Sequence, residues 1–185
     1  IYEIQTKNFG KIKNKVETLL KTHSVTVLYP LCTNTFIETY SEDKQLISKW
    51  KSPKKRNIYA IFDELMGIST LLLHPNFTFE VWEVEKIEER TKTNEKKQLP
   101  NKSRKFLKQW IPRDTKLKTV STRHIFDNKE DYIALLPDTL PNPFSTKDIA
   151  PRAGKQTHKM VWTLKKANII TLVDKKGNLN LYSIT

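Results

Sequence analysis

Apolar and polar residues alternate over Ile1–Gln5, the period-two signature of a half-buried strand. The pattern then changes. Phe9, Ile12, Val16, Leu19 and Leu20 recur at spacings of three and four, which predicts an amphipathic helix with Asn8 as its N-cap and Lys11, Lys13, Lys15 and Lys21 facing water. The run VTVLYP, Val25–Pro30, is rich in β-branched residues and predicts a buried strand ended by its proline. Strand, helix and strand in this order predict a βαβ crossover with parallel strands.

Thr35–Tyr40 and Lys44–Trp50 read as a hairpin around the turn Ser41-Glu42-Asp43. Beyond the basic run KSPKKR (Lys51–Arg56), Ile58, Ile61, Phe62, Leu65 and Met66 trace a second helix that Gly67 is expected to close. Phe77–Ile87 alternates as a long strand. The polar stretch 90–104 contains Pro100 and predicts a mobile loop or linker, and Thr119–Ile125 carries the β-branched residues of another strand or of an approach to a second domain. Asn128 opens a short helix reaching about Leu136, and Pro137, Pro141 and Pro143 force an extended connection. The predicted organisation is an α/β domain over 1–126 followed by a smaller unit over 127–185.

Composition narrows the partners. Thirty-three Lys and Arg against twenty Asp and Glu give a formal charge of +13, a self-repulsion that a phosphate-bearing ligand relieves. The single cysteine, Cys32, excludes an internal disulfide framework and a cysteine-cluster zinc site, which suits a reducing, cytoplasmic setting. Cys32 itself reads as a small buried side chain. No apolar run has the length of a membrane span and no signal peptide is present, so no membrane partner is expected. The chain opens at Ile1 directly in a strand-like run, so residues upstream of it are expected in a longer native protein.

The C-terminal third carries the most specific pattern. In FSTKDIA, Ser145 or Thr146 can cap a short helix that turns Ile149 inward and breaks over Pro151–Gly154. Gln156–Ala167 predicts a second helix with Met160, Val161, Leu164 and Ala167 on one face and Gln156, Lys159, Thr163 and Lys166 outward. Strands over Ile169–Asp174 and Leu179–Ile184 flank the turn Lys175-Lys176-Gly177-Asn178. Helix, turn, helix and basic hairpin in this order resembles the winged-helix family, although the first helix of the motif is shorter than in most members. The resemblance implies that the second helix enters the major groove of double-stranded DNA while the hairpin touches the backbone. Lys155, Gln156, Lys159, Thr163, Lys166, Lys175 and Lys176 are the residues so placed, with Gln156 and Thr163 as base readers and the lysines as phosphate contacts. Lys51, Lys54, Lys55 and Arg56 of KSPKKR add a second phosphate-gripping candidate.

The opening IYEIQTKNFGKIKNK followed by VTVLYP resembles part of the PD-(D/E)XK nuclease core, in which one strand carries Glu-x-Lys or a Glu-x-Gln variant. The matching residues are Glu3 and Gln5. The resemblance implies a Mg²⁺ ion held by Glu3 together with an acidic residue of an earlier strand, and the chain carries no such residue ahead of Glu3. A metal-dependent DNA endonuclease is the enzyme class this allows, and the chain alone is expected to be inactive and without a cofactor. The combined layout is also similar to uncharacterised bacterial proteins.

His23, His74, His124 and His158 lack ligand spacing and read as surface or capping residues. Trp50, Trp82, Trp110 and Trp162 have the faces to stack on bases but are expected to anchor the core. The sequence therefore predicts an α/β protein, part restriction-endonuclease-like and part winged helix-turn-helix, acting as a DNA-binding regulator or targeting protein. The competing readings are the nuclease and a protein-assembly module, and a homodimer is compatible with each.

Overall fold

The computed structural model describes residues 1–99 and 107–185, and its opening is a parallel strand–helix–strand unit. Strand β1 (Tyr2–Ile4) leads through a 3-10 turn (Phe9–Lys11) into helix α1 (Lys13–Leu20) and then strand β2 (Val25–Tyr40). Tyr2, Glu3 and Ile4 pair with Thr26, Val27 and Leu28. Asn8 takes a left-handed conformation before the turn and makes no side-chain cap, so its contribution is to the bend.

Pro30 does not end the strand. β2 continues to Tyr40, because Pro30 lies between the stretch paired with β1 and the stretch paired with strand β3 (Leu46–Lys51), where its missing N–H costs neither ladder a bond. β3 runs antiparallel to β2, with Phe36 opposite Lys51 and Glu38 opposite Lys49, as the predicted hairpin requires. The next segment is helical in three short pieces: a 3-10 turn over Ile58–Ile61, helix α2 (Phe62–Leu65), and 3-10 structure over Met66–Leu71. Gly67 lies inside this segment and does not terminate it. A Cβ there would meet the Gly10 nitrogen at 2.4 Å, so the glycine is needed for close approach of two backbones.

Strand β4 (Phe77–Gln98) is twice as long as expected. The stretch assigned to a mobile loop is strand as far as Gln98, with Thr93 buried; the rest of that stretch to residue 104 falls outside the described residues, apart from Leu99, which is buried. Strand β5 (Leu107–Phe126) absorbs the predicted Thr119–Ile125 strand. The described strands form a sheet in the order β1-β2-β4-β5, with β3 against β2.

Helix α3 (Lys129–Ile133) begins at a capping box in which Asn128 accepts from the Asp131 N–H and the Asp131 side chain accepts from the Asn128 N–H. Strand β6 (Phe144–Ser145) precedes helix α4 (Thr146–Ala153), capped by the reciprocal pair Ser145 and Asp148. α4 runs through Pro151 and ends at Gly154, whose φ of 55° reverses the chain. Helix α5 (Thr157–Lys166) is followed by a hairpin of strands β7 (Ile170–Lys176) and β8 (Leu179–Ile184), turned at Gly177 with φ 60°. A second sheet has the order β6-β8-β7.

Two compact units result. The first combines Ile1–Leu31, Asn57–Trp82 and Arg123–Thr185; the second combines Cys32–Arg56 and Glu83–Thr122. This differs from the expected division at 126/127, and the reason lies in the core. One apolar cluster joins Phe9, Tyr29, Phe62 and Phe79 from the N-terminal segments with Phe126, Tyr132, Met160 and Leu164 from the C-terminal one. Phe126 stacks on Tyr132 at 5.2 Å and the Tyr59 hydroxyl donates to the Leu135 carbonyl at 3.0 Å. Among its described residues the second unit buries few apolar side chains, Ile37, Val84 and Leu99, together with the carboxylates Glu38 and Glu89.

Candidate nucleic-acid interface

Helix α5 contains no acidic residue and has two distinct sides. At about 100° per residue, the buried positions Gln156, Thr157, Met160, Val161, Thr163, Leu164 and Ala167 span one arc of roughly 160°. The opposite arc carries His158, Lys159, Trp162, Lys165 and Lys166, all exposed. Two of the expected base readers are therefore corrected. Gln156 and Thr163 face inward, because α5 is covered on that side by α2 and by the 3-10 structure over Met66–Leu71. The Gln156 amide donates to Asp63 at 3.2 Å, and the Lys159 ammonium pairs with the same carboxylate. Lys159 is thus already partnered within the protein. Lys155, Lys166, Lys175 and Lys176 are exposed, as a phosphate contact requires.

Trp162 does not anchor the core: it is 42% exposed in the middle of the basic arc, and the Lys166 ammonium lies 5.9 Å from its ring centre. Beside it is a groove of about 490 Å³ lined by Thr70, Trp162, Lys165, Lys166 and Asn168. Asn168 forms one end of this groove in a left-handed conformation, φ 57°, held by its N–H donating to the Lys165 carbonyl. Trp50 is also exposed, and Trp82 and Trp110 are half-buried, so none of the four indoles is a core anchor. Cys32 is likewise only half-buried, its thiol donating to the Asn34 carbonyl at 3.2 Å.

Lys54, Lys55 and Arg56 are exposed in the segment between β3 and the helical turn, where the Ser52 N–H donates to the Thr35 carbonyl. Lys51 projects over Phe36, its ammonium 5.5 Å from the ring centre. The second unit has eighteen Lys and Arg against nine Asp and Glu in its sequence, yet much of this charge is answered internally. Lys49 pairs with Glu38, Lys116 with Glu89, and Lys118 with Glu85, at 2.7, 2.6 and 2.9 Å. Hydrogen bonds from Lys49 and the Tyr40 hydroxyl hold the Glu38 carboxyl below its ordinary pKa, and Lys118 does the same for Glu85. Lys118 and Arg90 also stack on Phe36 and Trp110, at 3.6 and 3.7 Å from the ring centres.

Glu3 and Gln5 lie at the first strand as expected, but the residues present do not fit Mg²⁺. The Glu3 carboxylate is occupied by the Lys15 ammonium at 2.6 Å, and the Gln5 amide donates to the Lys7 carbonyl at 2.6 Å. No group of three His, Cys, Asp or Glu gathers among the described residues to supply the several oxygen ligands that the ion prefers.

A family model described as "Domain of unknown function (DUF8091)" matches residues 1–127, more than half of the chain. The chain belongs to this family. The DUF8091 model ends one residue past the boundary expected from sequence, although the core continues through it into α3, α4 and α5. An uncharacterized protein of Treponema pallidum (strain Nichols) is 28% identical over 187 residues, covering 98% of this chain and 70% of that protein. That similarity therefore extends over the C-terminal helices and hairpin as well as the DUF8091 segment. No solved structure matches the chain. Among the described residues, no helix is long and apolar enough to cross a membrane.

From sequence, His158 has a surface position but no ligand contact, Lys165 is unassigned, and Trp162 is expected to anchor the core. Their helical spacing of four and three was a usable signal. What hid it was the second covering surface: with one buried face Gln156, Lys159 and Thr163 would all be free in solvent, whereas with two Gln156 and Thr163 are buried and the exposed Lys159 is tied to Asp63.

Proposed function

We propose that this DUF8091 protein binds DNA through its C-terminal helices and hairpin, used as a winged helix: the basic arc of α5 enters a groove and Lys175 and Lys176 of the hairpin turn grip the backbone. The observation that carries the reading is the outward arc of α5, which presents His158, Trp162, Lys165 and Lys166 with no carboxylate in the helix. The order α3, β6, α4, α5, β7, β8 and the sheet order β6-β8-β7 support it. Gripping falls to Lys165, Lys166, Lys175 and Lys176, and base contact to His158 and Trp162 in place of Gln156 and Thr163.

The test is fluorescence anisotropy of the whole chain with labelled duplex DNA across a salt series. Binding should weaken with salt by about 0.9 logarithmic unit per phosphate engaged. Changing both Lys165 and Lys166 to alanine should weaken binding on every sequence and reduce the slope by roughly 1 to 2. A salt-independent association, or an unchanged slope in the double variant, overturns this reading and favours a protein-assembly role for the same face.

A further inference from the structure

We infer that the groove beside α5 takes an unstacked nucleobase together with its phosphate, so that the protein prefers DNA bearing an unpaired nucleotide to fully paired duplex. This deepens the DNA-binding reading and rests on it. An indole 42% exposed at the centre of a lysine-rich helical face leaves a large apolar plate in water, and a stacked base is an aromatic partner that covers such a plate. Lys165 and Lys166 line the same groove, and no carboxylate does, so the occupant is anionic as well as aromatic. The volume of about 490 Å³ lies in the range of small-molecule sites.

The polar rim adds a means of reading the base edge. The Asn168 side chain presents one carbonyl and one amino group, the pair that recognises adenine edge-on, and the Thr70 hydroxyl can donate or accept. Asn168 is fixed by its own N–H on Lys165 and by the next residue, Ile169, whose N–H donates to the Leu164 carbonyl at 2.9 Å. The groove is therefore anchored to the rigid end of α5. A base stacked within a duplex has both faces covered by its neighbours, so only a nucleotide displaced from the stack can offer one to Trp162.

The experiment compares the whole chain on three labelled DNAs at one salt concentration: a blunt duplex, the same duplex with one bulged adenine, and a single strand. The bulged duplex is expected to bind about five- to 150-fold more tightly than the blunt one, the range for stacking of one base. Trp162→Leu should bring that ratio close to one, and Trp162→Phe should keep part of it. Asn168→Gly, which retains the left-handed backbone, should lower the ratio by several-fold. Equal binding of bulged and blunt duplex by the unaltered protein overturns the inference while leaving the duplex-binding reading intact. A preference that survives Trp162→Leu also overturns it, as does complete displacement of the bulged duplex by free deoxynucleoside monophosphate, which places a small nucleotide in the groove instead of a strand. Binding to none of the three DNAs overturns both readings.

Discussion

Replacing Thr163 by valine should stabilise the protein. Thr163 is fully buried in α5, and its hydroxyl has no hydrogen-bond partner among the described residues. A buried polar group left unpaired costs about 1 to 3 kcal/mol, and valine removes that cost while filling the same volume at similar helix propensity. The expected gain is about 1 kcal/mol, which for a chain of this length raises the melting temperature by roughly 2 to 4 °C. Thr163→Ser is the control of opposite sign: it keeps the hydroxyl, loses the methyl group, and should cost about 1 kcal/mol through the space left behind. Urea denaturation and calorimetry of the three proteins give the order Val, Thr, Ser directly. The valine variant should also bind every DNA sequence as the unaltered protein does, since the side chain is fully buried and does not meet solvent. A valine variant clearly less stable than the parent would show that the hydroxyl is satisfied. A valine variant with altered sequence preference would restore Thr163 to the reading face and refute the assignment of the outward arc.

Two further substitutions probe the framework that carries α5. Gly67→Ala forces a methyl group to within 2.4 Å of the Gly10 nitrogen, a contact with backbone that no rotamer relieves, and should destabilise by about 1 to 3 kcal/mol or more in urea denaturation. A loss below about 0.5 kcal/mol would mean that the two segments separate freely. At the start of α4, hydrogen bonds from the Ser145 hydroxyl and N–H hold the Asp148 carboxyl below its ordinary pKa. This stabilisation is present above the unfolded value near about 4 and is lost as pH falls through the lower folded value. Stability of the parent measured against Asp148→Asn from about pH 6 to about pH 2 should therefore converge on the acid side. A difference constant across that range would remove Asp148 from the titrating cap.

The local elements were legible because local chemistry determines them. Spacing placed α1 and α5, Asn128 marked a helix start, Ser145 or Thr146 marked another, which the structure assigns to Ser145, and the Lys175–Asn178 turn marked the hairpin. The failures concern information that a single segment does not hold. Arg90–Gln98 reads as polar linker, yet it continues β4, which lies between β2 and β5 in the sheet, with Thr93 buried. Pro30 reads as a strand end, yet both of the pairings on either side of it begin or finish short of it. Gly67 reads as a helix terminator, and only the approach of Gly10, far away in sequence, reveals its purpose. The same holds at the candidate interface. The amphipathic pattern of α5 identified one buried side correctly, but the inward turn of Gln156 and Thr163 depends on a surface formed by residues before Trp82.

That surface changes what the C-terminal segment can do by itself. Asp63 accepts the Gln156 amide and the Lys159 ammonium, while Phe126 and Tyr132 stack across the end of the DUF8091 match. Cutting the chain near residue 127 would leave Thr163, Tyr132 and Leu135 without the residues that bury them, and would free Gln156 and Lys159 from their carboxylate. The exposed arc of such a fragment would be wider and more basic than that of the whole chain, and its binding would overstate the contribution of Lys159. Within the first unit, the N-terminal strands and helices therefore act as a scaffold that selects which side of α5 meets the ligand, leaving His158, Trp162, Lys165 and Lys166 outward, tying Lys159 to Asp63 and burying Gln156 and Thr163.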